Sequence, residues 1–201
     1  MMIKIAMPTL VLLALATHAA AAGIAFPGSR FVVSPDSQWV VNCRGTEKQG
    51  YLLEAARAED TAWKQFFLVG RWCEVLWQGR GSHVAITDWG SGRSSQVVLI
   101  DLVHPEARMP LLDLVPGLGD SLQPDERSGS LNWEALRWSA DSLVVRVFGH
   151  THRAPTREFA YEFRIAPSRR TWVLLSKDNE VGSRAETKIR ATMRLGGRPA
   201  F

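Results

Sequence analysis

The strongest constraint on the fold is a pattern that occurs three times: an apolar stretch, a tight polar turn, and a second stretch rich in Val and Ile. The copy at 138–148 is the clearest. Trp138 leads into Ser139, Ala140, Asp141 and Ser142, and then into Leu143, Val144, Val145, Arg146, Val147 and Phe148. The copy at 33–43 sets Ser34, Pro35, Asp36 and Ser37 ahead of Trp39, Val40 and Val41. The copy at 77–88 runs from Trp77 through Gly79, Arg80, Gly81 and Ser82 to Val84, Ala85 and Ile86. Ser and Asp bond their own backbone two residues on, and Pro or Gly presets the turn dihedrals, so each copy reads as a β-hairpin.

Two further strand signals follow each hairpin, giving three units. The first has strands expected at 30–33, 39–43, 51–55 and 66–69, with a short helical turn at 53–64 where Ala and charged residues are dense. The second has strands expected at 73–77, 83–88, 96–102 and 111–115, and the third at 133–138, 143–148, 159–165 and 171–175. A period of about 45 to 60 residues marks blades, solenoids or arrays. Four antiparallel strands per unit is the anatomy of a propeller blade. The central strands are apolar on both pleat faces, as in a sheet stacked between neighbours: Val40 and Val41, Ala85 and Ile86, Val144 and Val145. The expected fold is therefore all-β: three blade-like antiparallel four-stranded units, a partial or atypical β-propeller.

The turn of Ser34, Pro35, Asp36 and Ser37 before Trp39, and that of Ser139, Ala140, Asp141 and Ser142 before Val144, resemble TolB-type β-propeller repeats. In those repeats an aromatic and a Ser-Pro-Asp-Gly turn precede an apolar strand. Here Ser37 and Ser142 stand where the repeat has Gly, and the middle copy keeps only Gly81 and Ser82. Three units are fewer than the roughly four to eight of a closed propeller, so the resemblance implies an arc, another closure, or completion by a second molecule. It implies architecture and not activity, since propellers host many chemistries.

Residues 1–22 carry one charge (Lys4), an apolar run from Leu10 and the small residues Ala19 to Ala22. That is the layout of a secretory signal peptide cut before Gly23. No later stretch is apolar for the roughly 20 residues a spanning helix needs. The organisation read from this is a signal peptide at 1–22, a β-repeat domain at 23–180 and a basic tail at 181–201, in a periplasmic or secreted protein that does not span the membrane after cleavage. Twenty-four Lys and Arg against twenty Asp and Glu leave a mild positive charge, spread out rather than in a stripe, which argues against nucleic acid as a partner. The two cysteines, Cys43 and Cys73, are expected to pair in an oxidising compartment. Closing that loop of roughly 30 residues is worth about 3 kcal/mol on the chain-entropy account.

Candidate chemistry is sparse. Gly149, His150, Thr151 and His152 are similar to the Gly-His-Thr-His segment that supplies metal ligands in calcineurin-like metallophosphoesterases, and imidazoles at i and i+2 of an extended chain share one side. The other motifs of that family are missing, so a hydrolase with a metal at His150 and His152 ranks last. No catalytic residue, metal ligand or cofactor is expected. Recognition is assigned to three loops, 88–94, 116–132 and 149–157. They carry the candidate binding residues Trp89, Arg93, Asp120, Asp125, His150 and His152. The eight tryptophans are mainly packing anchors, but Trp63 and Trp89 lie in polar surroundings, where an exposed indole stacks on a sugar. The reading is an exported module that binds a protein or cell-envelope component, with a glycan-binding module as the alternative. Open sheet edges offer a route to self-association.

Overall fold

The computed structural model describes residues 24–26, 31–46, 49–60, 62–90, 94–155 and 157–178. The expected signal peptide and basic tail lie outside them. Three antiparallel sheets follow one another along the chain. The first is ordered β2 (Phe31–Val33), β3 (Trp39–Thr46), β4 (Gly50–Arg57) and β5 (Lys64–Val69). The middle sheet holds β6 (Cys73–Trp77), β7 (His83–Asp88), β8 (Gln96–Asp101) and β9 (Met109–Pro110). The third holds β10 (Ser130–Ser139), β11 (Ser142–His150), β12 (Glu158–Ala166) and β13 (Thr171–Asp178). These are the three blade-like units that the sequence pattern predicts.

The middle sheet shows why the central residues of its strands are apolar on both faces. Val75, Trp77, Val84, Ile86, Val98 and Ile100 share a core with Val41, Leu53 and Val69 of the first sheet. The alternate residues Leu76, Ala85, Val97 and Leu99 share a second core with Val145, Val147, Phe163 and Ile165 of the third. Side chains alternate across a strand, so a sheet clamped on both sides has no position left for a solvated residue. At about 1.5–3 kcal/mol for each large side chain removed from water, these two cores hold the stack together.

Hydrogen bonds peg β10 across the middle sheet. The Ala135 amide donates to Thr87 Oγ1 at 3.0 Å, the Trp133 amide donates to Ser95 Oγ at 2.9 Å, and Ser95 Oγ donates to the Trp133 carbonyl at 2.8 Å. Thr87 and Ser95 are buried, and these bonds satisfy them.

One strand was not legible in the sequence pattern. β1 (Ile24–Phe26) pairs antiparallel with β6, setting Phe26 opposite Cys73 and burying it in the first core. The middle sheet therefore has five strands, and β1 covers the edge that β6 would otherwise leave open.

Two expected elements are corrected. The helical turn at 53–64 does not form, because Leu53 and Ala55 continue β4 in register with Cys43 and Val41 and face the core. Pairing overrides the helical preference of Ala and Glu. The strand expected at 111–115 is instead a helical turn, α1 (Leu111–Leu114), and the fourth strand of that sheet is the two-residue β9. Leu111, Leu114 and Val115 are buried while Leu112 and Asp113 are exposed, which is the spacing of one helix face.

The long connection 116–132 is ordered. It contains a 3-10 turn at Gly119–Ser121 and α2 (Pro124–Arg127), with Leu118 and Leu122 sunk into the second core. Tyr161 Oη donates to the buried Glu126 carboxylate, 2.8 Å from each oxygen, and Glu126 also accepts the Gln123 amide at 2.8 Å. The segment is a lid on the third sheet.

Candidate functional site

Up-and-down strand order sorts the connections into two ends. Residues 89–90, 94–95, 151–155 and 157 lie at one end with residues 123–129, and the turns 34–38, 78–82, 102–108, 140–141 and 167–170 lie at the other.

At the first end the structure alters the sequence-based reading. Trp89 is not a surface side chain: it is buried and stacks on Trp72 with centroids 4.8 Å apart and planes 9° from parallel, while Phe148 tilts against it at 6.2 Å. Its polar sequence neighbours concealed two aromatics arriving from elsewhere. Arg93 lies outside the described residues. Asp120 is exposed and pairs with Arg127 at 2.7 Å. Asp125 joins two of the expected loops, since its Oδ1 accepts the Arg153 amide at 3.0 Å and its carbonyl accepts the His152 amide at 3.0 Å. His150 is half-buried at the end of β11, whereas His152 is exposed. Among the described residues no group of three or more His, Cys, Asp or Glu could hold a metal ion. Asp125 thus ties two of the loops together, the Asp120 pair stays within one of them, and Trp89 is packed out of reach.

Cys43 and Cys73 are separate thiols in this structure, so the expected bridge is not formed in it. Burial pushes both thiols above the usual range, and at Cys73 the neighbouring Cys43 adds to the effect.

The opposite end holds a groove of about 990 Å³ between the middle and third sheets. Leu99 and Met109 give it an apolar floor from the middle sheet. Trp138 closes it from β10, with its Nε1 donating to the Leu76 carbonyl at 3.3 Å, so that the indole is fixed to both sheets. Pro167 and Ser168 close the third-sheet side.

Charged groups stand on the rim. Asp101 is held in place: Ser82 Oγ and the Val103 amide donate to Oδ1, and His83 Nε2 lies 4.0 Å from Oδ2. Burial alone would raise its carboxyl, but those two bonds and the nearby His83 and His104 outweigh it and hold it below the ordinary range. His104 also sits 3.6 Å from Glu106. Arg80, from the middle-sheet turn, and Asp141, from the third-sheet turn, are exposed and have no partner among the described residues.

The signal that could have located the groove was the repeat itself. In the first sheet the Ser34 amide donates to the Trp39 carbonyl and the Ala58 amide to the Gln38 carbonyl. In the middle sheet Gln78 and His83, then Leu102 and Ser82, make the same two bonds. Stacked copies bring equivalent turns side by side, and the turn residues Arg80 and Asp141 thereby face one space. The third hairpin departs from its siblings. Its turn is the two residues Ala140 and Asp141, with Ala140 at φ 50°, whereas the first copy reaches positive φ at Ser37.

No family model matches the chain, and no curated protein matches its sequence. Solved structures similar to it include the β-propeller domain of the Trilobed protease from Pyrococcus furiosus, which has an open velcro topology, at 14% identity and a TM-score of 0.47. That match covers 76% of this chain and 42% of the other. Another is an oligogalacturonate lyase in complex with manganese, at 12% identity and a TM-score of 0.49, covering 80% and 43%. The chain thus spans less than half the length of either.

Proposed function

We propose that the chain is an exported β-repeat module whose work is recognition, holding a protein or cell-envelope component in the groove between its middle and third sheets. The observation that carries this reading is the groove itself: an apolar floor, a fixed indole and a rim with two uncommitted charges. Concave, largely apolar sites with a few placed polar groups are where proteins take ligands. Recognition at this end is favoured over the loops 88–94, 116–132 and 149–157, because Trp89 is buried there and Asp120 and Asp125 are engaged with Arg127 and the Arg153 amide.

Residues 1–22 support export, to the periplasm of a Gram-negative host or to the medium. Export supports a bridge between Cys43 and Cys73. Cys43 lies on the core side of β3 with Val41, Cys73 lies on the core side of β6 with Val75, and the two sheets face each other there. Closing it takes two protons and two electrons from the thiols, delivered to a disulfide oxidant of the exporting compartment. Denatured, unreduced protein recovered after export should titrate with no free thiol and begin at Gly23.

The recognition reading is tested by placing a photoreactive side chain at Ala107 in the groove and, separately, at Asp120 at the far end. Irradiation in envelope extract should yield a defined adduct from position 107 and none from 120. Equal labelling from both positions overturns the reading.

A further inference from the structure

We infer that the groove takes an extended peptide segment bearing one apolar side chain with an acidic and a basic side chain on its flanks. This rests on the groove being the recognition site and names its ligand. The floor is apolar, with Met109 paired beside Leu99. Such a surface accepts an apolar side chain, and a methionine lets it adapt in shape. The volume of about 990 Å³ lies at the upper end of small-molecule pockets, which leaves room for several residues of a chain.

Charge selects among peptides. Arg80 and Asp141 come from different sheets, carry opposite signs and have no partner among the described residues. A segment with like charges would meet repulsion at one of them, and a neutral segment would leave both unmatched. Asp101 is committed to Ser82, Val103 and His83, so the two turn residues set the sign preference.

The test is an array of twelve-residue peptides with a central Leu, Met or Trp and flanks that are mixed, both acidic, both basic or neutral, probed with the full chain. Wild type should bind the mixed set at least tenfold more tightly than either like-charged set. Arg80→Glu should move the preference to the basic set, and Asp141→Lys should move it to the acidic set. A preference that ignores either inversion overturns the inference. Binding to envelope oligosaccharides but to no peptide, abolished by filling the groove with Ser168→Trp, overturns the peptide assignment and leaves the groove as the site. Peptide or oligosaccharide binding that is unchanged in Ser168→Trp overturns the groove reading as well.

Discussion

Asp36→Ala is the perturbation that most directly tests how the stack is joined. The Asp36 carboxylate accepts three hydrogen bonds: from Ser34 Oγ at 2.6 Å, from the Gln38 amide at 3.2 Å, and from the Gly81 amide of the middle-sheet turn at 2.8 Å. The first two shape the turn. Ser34, oriented by Asp36, accepts the Trp39 amide at 2.9 Å where β3 begins. The third crosses from one sheet to the next. A hydrogen bond to a charged group contributes about 1.5–3 kcal/mol when buried. Asp36 is only half-buried and water can replace part of each bond, so the three together are discounted to about 2 kcal/mol for Asp36→Ala.

The pH dependence follows from the same contacts. The hydrogen bond from Ser34, with those from the Gln38 and Gly81 amides, outweighs burial and holds the Asp36 carboxyl below its ordinary value in the folded chain. A depressed folded pKa gives stability that is complete above the unfolded pKa of about 3.9 and is lost as pH falls through the lower folded value. Urea unfolding of wild type and variant should therefore differ by about 2 kcal/mol at pH 7, and the gap should shrink below pH 4. Amide exchange at Gly81 should rise in the variant. A stability loss under about 0.5 kcal/mol at pH 7, or a gap that persists unchanged to pH 3, would refute the clasp.

Three further changes probe other parts of the structure. Ser37 holds φ 60°, a left-handed conformation that costs an L-residue about 1 kcal/mol, so Ser37→Gly should raise the melting temperature by about 1–2 °C after the glycine entropy term; a fall would contradict the turn geometry. Tyr161→Phe removes the donor to the buried Glu126 carboxylate, and should destabilise by about 1–3 kcal/mol and expose 116–129 to proteolysis; unchanged protease resistance would show that the lid is held by its leucines alone. A Cβ at Gly149 would come within 1.7 Å of the Ser130 carbonyl oxygen, so Gly149→Ala must part β10 from β11 and cost about 3 kcal/mol or more by urea unfolding; a loss under 1 kcal/mol would mean the strands pair less closely.

The stack was legible because its evidence is local and repeated. Val84, Ala85 and Ile86 are apolar in succession only because sheets cover both sides of β7, and that requirement is written in adjacent residues. β1 and α1 were hidden for different reasons. Three residues make too short a run to signal a strand, and a stretch such as Leu111 to Val115 fits either period until its neighbours decide. The site was hidden more deeply. Trp89 looked exposed because its neighbours in sequence are polar, yet Trp72 and Phe148 cover it. Arg80 and Asp141 looked like ordinary turn residues 61 positions apart, and only the stacking of the middle and third sheets sets them on one groove.

That asymmetry bears on how such a chain acquires specificity. Residues that build the two cores are constrained from both sides, and the first-end loops are bonded to each other through Asp125, Glu126 and Tyr161. The turns at the groove end carry fewer such obligations. Arg80 and Asp141 are exposed and make no side-chain hydrogen bond or ion pair among the described residues, so exchanging them alters the charge presented to a ligand while leaving the stack in place. Ligand preference in this architecture is therefore separable from stability, and the double inversion Arg80→Glu with Asp141→Lys should unfold within about 0.5 kcal/mol of wild type while reversing which end of a mixed-charge peptide the groove accepts. A large stability loss in that double variant would mean that the rim charges belong to the scaffold, and the groove would then lack the two uncommitted charges by which it selects a partner.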